Sequence, residues 1–189
     1  VLRPDQDEET TIEAQDIRVN RGTLPLFRWP FFSGTIDDIP LRRLHAGREN
    51  RIDYIGGQWD LFSLLQFGRS DVVQGDVGLD LYGDRGAGGG LDLTYAVGDN
   101  RGALELYLMN VDGPDRTSAG RTLDPSTDLR GHLLFNQHGM LNENWSLDLQ
   151  VSKFSDPSYM TTWEENLFRN RREFENSIFA AYRKNHTAF

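Results

Sequence analysis

The stretch TLPLFRWPFFSGTIDDIPLRRLHAG, residues 23–47, separates two parts of the chain with different patterns. It holds a dense run of apolar and aromatic side chains, namely Leu24, Leu26, Phe27, Trp29, Phe31 and Phe32. Because proline has no N–H to donate to a strand ladder, Pro30 and Pro40 indicate a place where the chain changes course. We therefore predict a junction between a small N-terminal domain, residues 1–32, and a larger sheet, residues 33–189.

Composition excludes several classes of protein. The chain has 29 acidic against 20 basic residues and a net charge of -9, so it lacks a surface for a phosphate backbone and we expect no nucleic-acid partner. It has no cysteine, which excludes disulfides and thiolate metal sites within it. No charge-free apolar run approaches the length of a membrane-spanning helix. The chain begins without a start methionine or signal peptide and stops within a predicted strand, so we expect a segment of a longer protein.

The hydrophobic pattern predicts an all-β chain. Before the junction, β-branched and alternating residues favour short strands at 10–14, 16–19 and 23–27. After it, residues 43–65 indicate a hairpin that turns at Gly56-Gly57. Period-two alternation then predicts strands at 77–82, 91–97, 104–109, 129–137, 145–151 and 174–182. Glycine, asparagine and aspartate between these strands supply the turns.

Strands of this kind build two different structures. In a soluble sandwich the apolar faces point inward, whereas in an outer-membrane barrel they point to lipid and acidic residues face a wet lumen. Two details favour the barrel: a tight turn at 98–102 alternates with a long loop at 112–128, and aromatic residues lie near strand ends. These aromatic residues are Tyr82, Tyr95, Trp145 and Tyr182. Periodicity alone leaves both structures open.

Residues 154–175 interrupt the strand pattern. Asp156-Pro157 predicts a turn, and residues 158–168 predict a helical turn with Trp163, Leu167 and Phe174 on one side. We interpret this mixed-charge segment as a solvated surface excursion and not as a binding site.

The sequence lacks the motifs of metal and cofactor sites. The four histidines, His45, His132, His138 and His186, have no helical ligand spacing, and we expect solvated or lumenal side chains. Residues 86–90 lack the last glycine of a dinucleotide fingerprint, and residues 112–115 do not fit a calcium loop. We therefore expect neither a metal nor a cofactor. An enzymatic alternative is a soluble β-sandwich glycoside hydrolase that uses two carboxylates on strands, such as Asp80 and Asp92.

The junction and the strands after it resemble one family. Residues 24–32, LPLFRWPFF, are similar to the "vPvfYlPyf" junction of the LPS-assembly protein LptD, also called OstA or organic solvent tolerance protein, although Arg28 stands where that family has an aromatic residue. Residues 75–86, 129–132 and 145–156 resemble its early barrel strands. The resemblance implies the end of a periplasmic β-jellyroll followed by antiparallel strands of an outer-membrane β-barrel.

The resemblance also implies transport without catalysis. Lipopolysaccharide would pass from an LptA-like periplasmic bridge protein into the jellyroll and leave through a lateral barrel opening into the outer leaflet, with an LptE-like lipoprotein plug in the lumen. The protein would lie in the outer membrane of a Gram-negative-type bacterium, with its N-terminal part in the periplasm. A plain outer-membrane diffusion barrel would share the strands but lack the aromatic and proline-rich junction.

Three groups of residues would take part in this transport. Acyl chains would contact the apolar residues of the junction, and Pro30 and Pro40 would weaken strand pairing at the opening. Lumen-facing acids would repel phosphorylated sugars from the wall; they are Asp80, Asp92, Glu105 and Asp148.

Overall fold

The computed structural model is a predominantly antiparallel β-protein. It describes residues 11–21, 24–35, 39–49, 52–67, 70–83, 85–116, 120–125, 127–163, 174–184 and 187–188. The chain divides into two compact units, Val1–Pro40 and Leu41–Phe189. Among the described residues, no helix has both the length and the apolar character needed to cross a membrane.

The first unit contains a β-hairpin. Strand β1 (Thr11–Arg21) pairs with β2 (Leu24–Thr35) in antiparallel register. The sequence predicted two short strands where β1 is a single strand, and this prediction is wrong. It also predicted that the next strand would end at Phe27, whereas β2 continues through Pro30. The predicted domain boundary after residue 32 lies within β2, and the two units divide after Pro40.

Pro30 is accommodated in β2 at an irregular point of the hairpin. Gln15 pairs with Phe31 and Ile17 pairs with Trp29, so Asp16 stands opposite Pro30. Asp16 has a φ of 53°, in the left-handed region that non-glycine residues rarely adopt. This local distortion explains why a residue without an N–H does not end the strand.

The described residues of the second unit form eleven strands, and nine of these belong to one antiparallel sheet. In chain order the strands are β3 (Leu41–Glu49), β4 (Ile52–Asp60), β5 (Val73–Tyr82), β6 (Gly86–Val97), β7 (Asn100–Val111), β8 (Asp115–Arg116), β9 (Thr122–Leu123), β10 (Leu129–Asn142), β11 (Trp145–Phe154), β12 (Ser177–Lys184) and β13 (Thr187–Ala188). The sheet order is β13-β12-β11-β10-β7-β6-β5-β4-β3, and β8 pairs separately with β9. The all-β prediction is confirmed, as are the strands predicted from period-two alternation, except that the last of them, predicted at 174–182, begins at Ser177. The region predicted as a long loop, residues 112–128, contains the short strands β8 and β9.

Two predictions between β3 and β5 are wrong. The hairpin turns after Glu49, and Gly56 and Gly57 lie within β4. Strand β4 ends at Asp60, where helix α1 (Leu61–Leu64) begins, so the predicted second limb does not extend to Leu65. The strand gives way to a helix at Asp60 because the Asp60 carboxylate accepts a hydrogen bond from the Ser63 N–H at 2.7 Å, as a helix N-cap does.

The connections alternate between two ends of the sheet because consecutive strands are antiparallel. The turns at residues 98–99 and 143–144 lie at one end, together with the described residues of the 61–72 connection, and we name it the tight-turn end. The described residues of the 112–128 and 155–176 connections lie at the other end, the long-connection end, where the β3–β4 and β5–β6 hairpins also close.

The core of the second unit lies at the long-connection end. It consists of the buried residues Ile52, Tyr82, Met109, Tyr159 and Trp163. Tyr159 belongs to helix α2 (Pro157–Thr162), which follows the N-cap Asp156. Because Tyr159 and Trp163 are buried, the prediction of a solvated excursion is wrong for this part of the segment. Leu167 lies outside the described residues, and the Phe174 ring packs edge-on against Phe154 with centroids 5.0 Å apart.

Candidate functional site

The register gives the sheet two chemically different faces. Side chains alternate between faces along a strand, and directly paired residues point the same way. Asp92 pairs with Asp76 on β5 and with Glu105 on β7. The preceding residue, Leu91, pairs with Val77 and with Leu106. We name the face that carries Asp92 and its partners the polar face, and the face that carries Leu91 and its partners the apolar face.

The four acids singled out from the sequence all lie on the polar face. Asp92 and Glu105 pair directly. Asp80 lies four positions beyond Asp76 on β5 and therefore shares its face. Asp148 pairs with His138, which in turn pairs with Arg101, four positions before Glu105 on β7.

Three of these acids contact a histidine. His45 Nε2 lies 2.7 Å from Asp80 Oδ1, and His132 Nε2 lies 3.1 Å from Glu105 Oε1. His138 Nδ1 contacts Asp148. His132 is buried on the polar face, so the expectation of a solvated side chain is wrong for this residue, and His186 lies outside the described part. In the portion of the chain that the structure describes, no three His, Asp or Glu residues are arranged to bind a metal.

Tyr107 connects these pairs across the middle of the polar face. Its hydroxyl donates to Asp80 Oδ2 at 2.7 Å and lies 2.7 Å from the hydroxyl of Tyr82. Its ring stacks on that of His132, with centroids 6.2 Å apart and an interplanar angle of 20°. The result is a continuous polar and aromatic row from β3 to β10.

Two glycines of β6 make room for Tyr107. A Cβ at Gly90 would lie 3.0 Å from Tyr107 Cδ2, and a Cβ at Gly88 would overlap the Tyr107 hydroxyl. The glycine-rich run at residues 86–90 therefore lets the tyrosine ring lie flat along the sheet.

The predicted aromatic residues at strand ends divide between the two faces. Trp145 and Tyr182 pair on the apolar face, with ring centroids 5.1 Å apart, and Tyr95 pairs with Gly102 on the same face. Tyr82 is buried on the polar face, so it does not belong to an outward aromatic belt, and the prediction is wrong for this residue.

A buried arginine fastens the long-connection end of the polar face. Arg130 on β10 is 1% exposed and donates through Nε and Nη2 to Asp156 at 2.9 and 3.0 Å. It also contacts Asp115 and donates to Ser158 Oγ at 3.1 Å. Trp163 Nε1 donates to Asp115 Oδ1 at 3.1 Å. Through these bonds Arg130 ties the sheet both to β8 and to the start of α2.

Asp156 is held in its ionised form. Burial raises the pKa of Asp156, but hydrogen bonds from Arg130, Ser158 and Ser155 outweigh this effect and hold the pKa well below its usual range. The carboxylate also accepts the N–H groups of Ser158 and Tyr159, each at 3.0 Å, as the N-cap of α2. A second contact joins α2 to the sheet, because the Tyr159 hydroxyl lies 3.2 Å from His132 Nδ1.

The apolar face is exposed along several strands. Leu79 is 44% exposed on β5, Leu108 is 48% exposed on β7 and Ile178 is 76% exposed on β12. Large exposed apolar patches mark contact with a partner or with lipid.

The junction residues predicted to contact lipid lie along β2. Phe31 is exposed, whereas the side chains of Leu24, Leu26, Phe27, Trp29 and Phe32 lie outside the described part of the structure. Pro30 lies within β2, and Pro40 is buried one residue before β3. The structure therefore places the backbone of this segment in a hairpin with β1.

Sequence reasoning missed the Arg130 network. Its members lie apart in the chain: Asp115 in β8, Arg130 near the start of β10 and Asp156 after β11. The available signal was an arginine at a position that alternation assigns to the polar face, together with an Asp-Pro helix start.

No family model matches the chain, and no curated protein matches it.

Proposed function

We propose that the second unit is part of an outer-membrane β-barrel and that the protein carries lipopolysaccharide from the periplasm, through a lateral barrel opening, to the outer leaflet. The role is transport, without catalysis. The observation that carries this proposal is the contrast between the exposed apolar face and the opposite face, where acids are paired with histidines and arginine. Lipid suits the first face and water the second.

Strand length supports a membrane span. Strand β4 has 9 residues, and β5 and β11 have 10 each. A tilted strand needs about 9–11 residues to cross the hydrocarbon core. Three aromatic residues on the apolar face, Tyr95, Trp145 and Tyr182, lie near the tight-turn end, where an interfacial belt would place them.

The two longest connections, residues 112–128 and 155–176, leave the same end of the sheet and support an orientation. In outer-membrane barrels the short turns face the periplasm and the longer loops face outward. The first unit precedes β3, which begins at the tight-turn end, so Val1–Pro40 would lie in the periplasm as the end of a β-jellyroll. The Arg130 network would then hold the outer loops over the lumen.

The lipid path is the most specific part of the proposal. Acyl chains would contact Leu24, Leu26, Phe27, Trp29, Phe31 and Phe32 on β2. Pro30 and Pro40 would weaken pairing near the opening, and the acids of the polar face would keep phosphorylated sugars from binding to the wall. An LptA-like bridge protein would deliver the lipid, and an LptE-like lipoprotein would fill the lumen.

The test uses the full-length protein in cells. It is separated by membrane fractionation and examined for heat-modifiable migration in detergent. A photo-crosslinking amino acid is then placed at Phe27 or Trp29, with Glu13, an exposed residue on β1, as the matched control position.

Three outcomes separate the alternatives. Outer-membrane fractionation with crosslinks to lipopolysaccharide from residues 27 and 29, but not from residue 13, supports the proposal. Outer-membrane fractionation without such crosslinks indicates a diffusion barrel and overturns the transport role. A soluble protein that needs no detergent overturns the membrane assignment and favours the carbohydrate-active sandwich.

A further inference from the structure

The connection between β4 and β5 packs on the apolar face of the sheet. A Cβ at Gly75 would lie 2.7 Å from Leu93 Cδ2 and 3.3 Å from Leu61 Cδ2, so Leu61 lies beside Leu93. Gly75 pairs with Leu93 in the register of the apolar face. Leu61 is the first residue of α1, and the chain therefore folds outward over this face at the tight-turn end.

Both ends of α1 are fixed by hydrogen bonds. Asp60 caps its beginning, as described above. At its end, Gln66 adopts a φ of 57°, its N–H donates to Ser63 O at 3.2 Å, and the Phe67 N–H donates to Phe62 O at 2.8 Å. These two bonds form a Schellman motif, in which the residue after the left-handed position is commonly apolar. The structure thus fixes the positions of the residues that follow α1.

Those residues are apolar and exposed. Phe67 is 63% exposed, and Leu65 is also exposed. The run from residue 61 to 67, LFSLLQF, contains no charge. Binding at the boundary between headgroups and acyl chains strengthens with the apolar area that is buried there, and these exposed side chains lie next to an apolar strand face.

We propose that residues 61–67 form a lipid anchor that inserts into the periplasmic leaflet beside the barrel. This inference rests on the proposed membrane location, because the anchor is continuous with the apolar face. The anchor contacts phospholipid acyl chains. The absence of charge in the run gives no basis for selecting anionic headgroups, so insertion is insensitive to salt and to the charge of the lipid.

The experiment measures where a nitroxide label lies. Because this chain has no cysteine, single cysteines are introduced by Phe67→Cys, Leu79→Cys and Asp99→Cys, and the protein is reconstituted in phosphatidylcholine vesicles. Collision with oxygen, which concentrates in lipid, is compared with collision with a water-soluble nickel complex. Leu79 on the apolar face is the lipid control, and Asp99, exposed in a turn at the tight-turn end, is the water control.

The anchor predicts that the label at residue 67 collides more often with oxygen than with nickel, as at residue 79 and opposite to residue 99. A lipid-like signal at residue 79 with a water-like signal at residue 67 overturns the anchor and leaves the barrel intact. A label at residue 67 shielded from both reagents indicates a protein partner and also overturns it. A water-like signal at residue 79 overturns the membrane assignment itself, and the anchor with it.

Discussion

Replacement of Arg130 by glutamine tests whether the long-connection end depends on one buried cation. The guanidinium forms an ion pair with Asp156 and with Asp115, and all three side chains are buried. In Arg130→Gln both carboxylates stay buried without a counter-charge. Breaking a buried ion pair in this way costs about 3–5 kcal/mol. Asp156 keeps hydrogen bonds from serine hydroxyls and backbone N–H groups, which places the expected loss in stability toward the lower end of that range.

The assay is equilibrium urea unfolding of the protein refolded into phospholipid vesicles. The control is Arg101→Gln, an exposed arginine on the polar face of β7, for which we expect a change within about 0.5 kcal/mol. Adding Asp115→Asn to Arg130→Gln removes one uncompensated charge, so the double variant should recover part of the lost stability. If Arg130→Gln unfolds at the same urea concentration as Arg101→Gln, the long-connection end does not depend on the buried Arg130.

Three further predictions concern other parts of the second unit. Gly56→Ala should destabilise by about 1–3 kcal/mol, because its methyl group would overlap Asp80 Oδ1, whereas Gly78→Ala, whose nearest atoms lie 3.9 Å away, should be neutral in the same urea titration. Since the folded pKa of Asp156 is depressed, its contribution to stability is complete above its unfolded pKa of about 3.9 and is lost as pH falls through the lower folded value. Unfolding midpoints measured across acid pH should show this loss in the wild type and a smaller one in Asp156→Asn; equal slopes would contradict the assignment. Leu106→Arg, in the middle of β7 on the apolar face, should cost about 2–4 kcal/mol in vesicles, and tolerance of that arginine would argue against lipid contact.

The long strands after residue 72 could be predicted from the sequence because their side chains alternate between apolar and polar residues. In β7, for example, Leu104, Leu106 and Leu108 alternate with Glu105 and Tyr107, and this pattern specifies both the strand and its two faces. The placement of Asp80, Asp92, Glu105 and Asp148 on one face follows from the same periodicity.

Other features depend on contacts between residues far apart in the chain. Gly56 and Gly57 resemble a turn, but they lie in β4 because large neighbours use the space that a side chain would occupy: His45 and Asp80 at one glycine, and Trp59 at the other. A local pattern cannot distinguish a glycine that turns the chain from one that makes room for a neighbour.

The 155–163 segment was misjudged for a related reason. The mixed charge of residues 154–175 suggested a solvated excursion, yet Asp156 binds Arg130 and Trp163 binds Asp115 in a buried network. A charged residue is buried only when its partners are present, and those partners come from other connections. Composition along one segment therefore gave the wrong environment for α2.

The most direct test of whether the apolar face contacts lipid is a cysteine scan along β7. The full-length protein is reconstituted in vesicles and labelled with a water-soluble maleimide. The scanned positions are Leu104, Glu105, Leu106, Tyr107 and Leu108. If the apolar face contacts lipid, residue 105 labels rapidly, residue 107, which is partly covered, labels at an intermediate rate, and residues 104, 106 and 108 are protected. Rapid labelling at the three leucine positions would contradict lipid contact, because it would place the apolar face in water.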